Sequence, residues 1–325
     1  MIIVTGGAGF IGSVVVAVLN QHGRHDILIV DENNHPRKGR NLQPLKFEKR
    51  LGIAAFHQEL QAGGFDHAGI SGIVHLGACA NTSEKDWDYL ARNNVHYTKT
   101  IIQWSIDHGV RCVYASSAAT YGDGRRGFDD AHELFKVLEP LNLYGKSKLE
   151  VDIWALNQGF LNQVAGIRYF NVFGPNEWHK GPMRSIVNHK YPDVRDAGEI
   201  SLFKSRHPSY RDGDQERDFI YVEDAVAMTL WLLDRPETNG IFNVGTGCAR
   251  TWNDVANSMF AAIGDPPKIH YMDMPNKLAT QYQYHTQAEM VKLRGAGYDR
   301  KATSLEDAIT DYIQNYLALD RHYGE

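Results

Sequence analysis

Tyr144 and Lys148 stand four residues apart in Tyr144-Gly145-Lys146-Ser147-Lys148, a spacing that puts both side chains on one face of a helix. An ammonium beside a phenol favours the phenolate and draws its pKa down from about 10 toward neutrality, where the group works as base and acid. A Tyr and a Lys at this spacing also occur by chance, as a solvated helix face. Ser116-Ser117 supplies a hydroxyl at the end of the preceding apolar run, near where a reacting oxygen would sit. Gly6-Gly7-Ala8-Gly9-Phe10-Ile11-Gly12 is a second feature with chemical meaning. Its glycines let the backbone turn tightly and approach a pyrophosphate, which then sits at the positive end of a helix. Asp31 follows Gly12 by roughly 20 residues, the distance at which a carboxylate accepts from adenosine ribose hydroxyls. The competing reading is an ordinary strand-to-helix turn with a surface aspartate. Asp31-Glu32 would repel a phosphate on that ribose, whereas Arg37, Lys38, Arg40 and Lys49 would neutralise one, so NAD and NADP both stay open on the residues alone.

These residues need elements that hold them. Apolar runs predict strands over residues 1–5, 26–31, 72–76, 111–116 and 164–170, with helical patterns over 11–21, 87–108 and 144–158. Apolar strands joined by helical crossovers form a parallel sheet covered on both faces. From Gly174 the pattern changes: Pro175, Pro182, Pro192 and Pro208 punctuate a stretch read as irregular to about Arg217. A strand-helix pair over 218–233, a strand over 241–244, a helix over 252–263 and a last helix over 304–319 follow. The expected fold is α/β, a Rossmann-type doubly wound parallel sheet with a smaller, mainly C-terminal α/β substrate domain. Residues 1–172 and 218–245 would form the NAD(P)-binding domain, and 173–217 and 246–325 the nucleotide-sugar-binding domain.

Composition narrows the class. The 325 residues suit one large domain or two sharing a cleft, and 43% hydrophobic with 22% charged residues is globular rather than disordered. The net charge of −5 gives no overall attraction to nucleic acid or anionic membrane, although a local basic cleft can still hold an anion. Cys79, Cys112 and Cys248 are far apart, and His22 and His25 lack companion ligands, so neither a disulfide framework nor a metal is expected. No apolar run approaches the roughly 20 residues of a membrane span. The chain runs from Met1 into a strand with no charged leader, which predicts a cytoplasmic protein. Arg125-Arg126 beside Asp129-Asp130 reads as a solvated loop.

With Ser117, Tyr144 and Lys148 beside Gly6, Gly9 and Gly12, the chain resembles the extended short-chain dehydrogenase/reductase family of nucleotide-sugar enzymes. Arg168-Tyr169-Phe170-Asn171-Val172-Phe173-Gly174-Pro175, Arg217-Asp218-Phe219-Ile220-Tyr221-Val222 and Phe242-Asn243-Val244-Gly245-Thr246-Gly247 fit that family too, so the resemblance spans essentially the whole chain. Within it, three stretches resemble the ADP-L-glycero-D-manno-heptose 6-epimerases: Val74-His75-Leu76-Gly77-Ala78-Cys79, Asn176-Glu177-Trp178-His179-Lys180-Gly181 and Gln281-Tyr282-Gln283-Tyr284-His285-Thr286-Gln287.

That resemblance implies an isomerase that inverts C-6 of ADP-D-glycero-D-manno-heptose through a transient 6-keto sugar, for the lipopolysaccharide inner core. It implies tightly bound NADP, with NAD as the alternative, and a homo-oligomer, a homopentamer in the family. Tyr144 and Lys180 would be the two acid/base groups, Ser117 would hydrogen-bond the sugar oxygen, and Lys148 would orient the ribose and tune Tyr144. The bland role for Lys180 is a loop lysine on the diphosphate. Cofactor contacts carried over are Gly6, Gly9, Phe10, Ile11, Gly12, Asp31, Glu32, Lys38, Lys49, Leu76, Gly77, Ala78, Cys79, Ala80, Asn93, Lys148 and Val172. Substrate contacts carried over are Asn171, Lys180, Pro182, His189, Phe203, Lys204, Ser205, Arg206, Arg217 and Tyr282. Glu32 departs from an uncharged asparagine in the family and Pro182 from a serine, and the 204–216 segment is longer than in shorter members.

Three other readings compete with this one. A UDP-hexose 4-epimerase would use Ser117, Tyr144 and Lys148 without needing Lys180. A non-catalytic nucleotide-binding sensor would have no reason to keep those three together. A 4,6-dehydratase would need an acidic pair after Ser117, where this chain has Ala118-Ala119.

Overall fold

Short apolar runs separated by helices leave each strand with two faces to bury, and the chain solves this with one central sheet. A computed structural model of the chain describes residues 1–32, 35–66, 68–276 and 282–325. In chain order the strands are β1 (Ile2–Thr5), β2 (Ile27–Val30), β3 (Lys49–Leu51), β4 (Gly72–His75), β5 (Cys112–Ser117), β6 (Ala165–Tyr169), β7 (Asn171–Phe173), β8 (Ile200–Phe203), β9 (Glu216–Tyr221), β10 (Gly240–Val244), β11 (Ala249–Thr251) and β12 (Ile269–Met272). Seven of them make an all-parallel sheet in the order β10-β6-β5-β4-β1-β2-β3. The order reverses between β1 and β4, and a doubly wound sheet opens a crevice at that point, beyond the carboxyl ends of the strands.

The helices that flank the sheet include α1 (Phe10–Gln21), α2 (Pro36–Leu42), α3 (Ile53–Gln61), α4 (Trp87–Leu90), α5 (Tyr97–Asp107) and α6 (Leu143–Asn157). The single helix expected over 87–108 is instead α4 and α5 joined by a π-helical turn, Ala91–His96. The stretch expected to be irregular holds α7 (Ile186–Pro192) and β8. Pro192 does not prevent α7; it is the last residue of that helix, and the chain passes on into a π-helical turn, Asp193–Ala197. β8 pairs in parallel with β12, a partner some 70 residues away that local pattern cannot reveal.

A second apolar core, with Phe173, Val187, Tyr191, Phe219, Phe260 and Tyr312, packs α7, α8 (Trp252–Ile263) and the helix Leu305–Asp311 beside the three-stranded sheet β11-β9-β7. Asp130 is buried rather than solvated. It accepts from Asn243 N at 2.7 Å, and His132 accepts from Ile241 N at 3.2 Å, so side chains cover the open edge of β10. No helix among the described residues is long and apolar enough to cross a membrane.

Candidate active site

The carboxyl ends of β1, β4, β5 and β6 open on a cleft of about 770 Å³. Its floor begins at the glycine turn. Gly6 has φ +68°, and a Cβ on Gly12 would lie 2.1 Å from Gly6 O, so the turn admits only glycine at these two positions. α1 starts at Gly9 with no side-chain cap, which leaves its first N–H groups open to an anion. A cradle that a Cβ would fill and an uncapped helix of 12 residues fit the pyrophosphate of a dinucleotide.

Asp31 lines the cleft but already has two partners: its Oδ2 accepts from Ala8 N at 2.9 Å and its Oδ1 pairs with Lys38 Nζ at 3.0 Å. A ribose contact is the expectation for this residue; in the structure it braces the glycine turn and fixes Lys38. Glu32 Oε1 accepts from Ile53 N at 2.8 Å, so this carboxylate serves the N-terminus of α3. Glu32 and Lys38 both stand at the cleft wall, so a negative and a positive charge face the adenosine end together.

Ser117 ends β5, where its Oγ accepts from Ala119 N at 3.1 Å. Asn142 caps α6 by accepting from Gly145 N at 2.7 Å, which starts the helix in the register that turns Tyr144 and Lys148 into the cleft. Lys148 Nζ donates to Ala115 O at 2.9 Å and lies 6.0 Å from the Tyr144 ring centre. Asp152, one turn further, accepts from Ser116 Oγ at 2.9 Å and pairs with Arg168 at 3.0 Å, tying β5, β6 and α6 together beneath the site. Burial draws the Lys148 amine down to about 8, opposed by the Asp152 charge. Burial also pushes the Tyr144 phenol up, while the Ser117 hydroxyl pulls it down. The expected net lowering of Tyr144 by Lys148 is therefore not what the protein alone produces: desolvation of a phenolate outweighs an amine held toward Ala115.

Lys180 sits on the short turn Trp178–Met183, its Nζ 4.9 Å from the centre of the Phe10 ring at the start of α1. Burial lowers its pKa, and the buried Glu177 carboxylate acts against that shift. His179, drawn down to about 4 by burial and by the charges of Lys38 and Lys180, keeps a buried Nδ1 without a partner among the described residues. Lys38, Lys148, Lys180 and Arg184 outnumber Asp31 and Glu32 in the lining, which gives a cleft of net positive charge in an acidic chain, suited to an anionic ligand.

Gly6, Gly9, Phe10, Ile11, Gly12, Asp31, Glu32, Lys38, Leu76, Gly77, Ala78, Cys79, Ala80, Asn93, Ser117, Tyr144, Lys148, Asn171, Val172 and Lys180 all line this cleft. Lys49 does not; it is exposed on the edge strand β3. Pro182, His189, Phe203, Lys204, Ser205, Arg206, Arg217 and Tyr282 also lie outside its lining. His189 is exposed on α7, Lys204 pairs with Asp273 at 3.2 Å, Ser205 N donates to Asp212 Oδ1 at 2.8 Å, and Arg206 donates to Asn276 Oδ1 at 2.7 Å. Arg217 and Tyr282 form a group of their own. The guanidinium is 5.1 Å from the Tyr282 ring and 5.8 Å from that of Trp252, whose Nε1 donates to Tyr282 OH at 2.8 Å. Trp252 lines the cleft, so this group borders it. Gln283 lines it too and donates to Gly122 O, joining the segment that bears Tyr282 to the turn that follows β5. Gln281 of that motif lies outside the described residues. Tyr89, Trp252 and Arg184 were missed from the sequence; no local pattern marks them.

Residues 2–245 match the model of the NAD dependent epimerase/dehydratase family. An ADP-L-glycero-D-manno-heptose-6-epimerase from Nitratidesulfovibrio vulgaris is 46% identical over 318 residues, 98% of each chain. Another of that name from Fusobacterium nucleatum is 40% identical over 333 residues, 99% of this chain and all of the relative. The crystal structure of the Helicobacter pylori ADP-L-glycero-D-manno-heptose-6-epimerase superposes with a TM-score of 0.81 at 26% identity, over 98% of this chain and 96% of that one.

Proposed function

The chain belongs to the NAD dependent epimerase/dehydratase family, and on that premise we propose that it inverts C-6 of ADP-D-glycero-D-manno-heptose through a transient 6-keto sugar, using tightly bound NADP. It is an isomerase of the sugar-nucleotide class whose relatives carry the heptose-6-epimerase name. The observation that carries the finer reading is Lys180 lining the same cleft as Tyr144, on a turn separate from α6. Inversion needs proton transfer at the C-6 oxygen in two orientations of the sugar, and two acid/base groups on different segments meet that need.

The glycine turn, the α1 N-terminus, Asp31, Lys38, residues 76–80, Asn93, Lys148 and Val172 would hold the dinucleotide, with Lys38 facing a 2′-phosphate. When bound, its nicotinamide supplies a reversible hydride acceptor. Tyr144 takes or returns the hydroxyl proton in one orientation of the sugar and Lys180 in the other. Ser117 holds the reacting oxygen by hydrogen bond, and Lys148 keeps positive charge beside Tyr144 as it ionises. Asn171 would meet the sugar, and Arg217 with Tyr282 the nucleotide diphosphate end. Residues 1–172 and 218–245 would serve cofactor binding, and 173–217 and 246–325 the sugar nucleotide. We place the enzyme in the cytoplasm as a homo-oligomer, a homopentamer, supplying lipopolysaccharide inner-core assembly.

The test offers the pure protein ADP-D-glycero-D-manno-heptose and, separately, UDP-galactose, with the nucleotide released on denaturation identified in parallel. Conversion of the heptose alone, with NADP released, is expected. Interconversion of UDP-galactose and UDP-glucose instead would overturn the heptose reading, and released NAD would overturn the NADP one.

A further inference from the structure

The turn bearing Lys180 is held by more than its own neighbours. Asn176, four residues earlier, is fully buried with φ +76°, a left-handed conformation that a non-glycine residue keeps only where its surroundings impose it. Its side chain is fully engaged: Nδ2 donates to Ser13 Oγ at 2.9 Å, and Oδ1 accepts from Tyr323 N at 2.8 Å. Ser13 lies in the first turns of α1 and donates in turn to Phe10 O at 3.1 Å. The Phe10 ring is the surface over which the Lys180 amine rests. The Asn176 carbonyl accepts from Asn41 Nδ2 at 3.2 Å, and the same amide donates to Ala8 O at 3.1 Å in the glycine turn. Asn41 Oδ1 accepts from His322 Nδ1 at 2.5 Å; burial holds His322 neutral, with a pKa of about 4. Beside Asn41, the Arg40 guanidinium pairs with Asp320 at 2.7 Å and Glu325 at 3.0 Å. The glycine turn, α2 and the Lys180 turn thus meet in one buried knot, closed by residues 320–325.

We propose that Asn176 is a positioning residue for Lys180, setting the amine over Phe10 and therefore against the glycine turn, with His322 and Tyr323 as its buttress. This rests on the reading of Lys180 as an acid/base group. Without the carboxamide the turn keeps its covalent path and the contacts of Glu177 with Ser185, but loses its tie to α1. A displacement of about 1 Å at a proton-transfer group costs up to about a hundredfold in rate.

Asn176→Gly is the sharpest variant, because glycine keeps the left-handed backbone without strain and removes only the carboxamide. Wild type, Asn176→Gly and Lys180→Met are each mixed with the two C-6 epimers of the ADP-heptose, and reduction of the bound nicotinamide is followed by its absorbance. Lys180→Met should slow reduction by one epimer and spare the other. Asn176→Gly should slow the same epimer by about ten- to a hundredfold with cofactor content unchanged. Equal slowing with both epimers, or no slowing, overturns the positioning role, since general loosening has no reason to choose a face. Lys180→Met that slows neither epimer overturns the reading of Lys180, and the positioning role with it. Should Asn176→Gly fail to fold, Ser13→Ala leaves the 176 backbone intact and should slow the same epimer, by about three- to tenfold for one neutral hydrogen bond.

Discussion

Replacing Lys148 with methionine should stabilise the nucleotide-free protein at neutral pH while lowering its activity. Burial draws this amine from 10.5 to about 8, and at about 1.4 kcal/mol per unit the charged form costs the fold roughly 3 kcal/mol. The hydrogen bond to Ala115 O returns about 1.5–3 kcal/mol, so methionine of similar length gains on the order of 1 kcal/mol net at neutral pH. The pH dependence is the more discriminating quantity. The folded state releases this proton more readily than the unfolded chain, so the cost is complete below pH 8 and fades as pH rises toward 10.5. Urea unfolding of both proteins, followed by tryptophan fluorescence, should therefore show the wild type gaining on the variant by roughly 2–3 kcal/mol between about pH 7 and about pH 10. Subtracting the variant cancels the titrating groups that do not feel the Lys148 charge. A difference that stays flat over that range would refute the buried-ammonium reasoning, as would a variant less stable than wild type by about 2 kcal/mol or more at neutral pH. Epimerisation by the variant should fall by about 10²–10⁴-fold, because Tyr144 then ionises without a neighbouring charge.

Tyr144→Phe should lose about 10²–10⁴-fold in epimerisation while retaining its nicotinamide, measured by product formation against cofactor content. Gly12→Ala drives a Cβ to 2.1 Å from Gly6 O, so the turn must open; the purified variant should contain little nucleotide, and full occupancy would contradict the turn geometry. Lys38→Ala removes the amine that Asp31 holds at 3.0 Å, and should weaken NADP binding by about ten- to a hundredfold, as for a charged hydrogen bond, with NAD nearly unaffected. Equal loss for both nucleotides would place Lys38 away from the 2′-phosphate.

Much of this architecture was legible because it is locally encoded. The β1-turn-α1-β2 unit shows in the apolar run before Gly6 and the roughly 20 residues to Asp31, and the helix bearing Tyr144 and Lys148 begins one residue from its expected start. What escaped depends on distant partners. β3 is three polar-flanked residues that become a strand only by pairing with β2, which also turns Lys49 to solvent. β8 exists through β12, and with that pairing Lys204 and Arg206 turn to Asp273 and Asn276 rather than into the cleft. Asp31 was recognisable as a carboxylate at the right distance, but its bond to Ala8 N is a property of the closed turn. The knot around Asn176 joins residues 13, 41, 176 and 322, and no window of sequence contains them together.

Direct removal and return of hydride at C-6 is the central claim. Proton NMR of ADP-D-glycero-D-manno-heptose incubated with the protein in heavy water, without added nicotinamide, tests it most directly. The expected result is conversion to the L-glycero epimer with no deuterium at C-6, because the hydrogen never exchanges with solvent. Deuterium at C-6 in the product, or no conversion by protein that carries its full complement of cofactor, would contradict it.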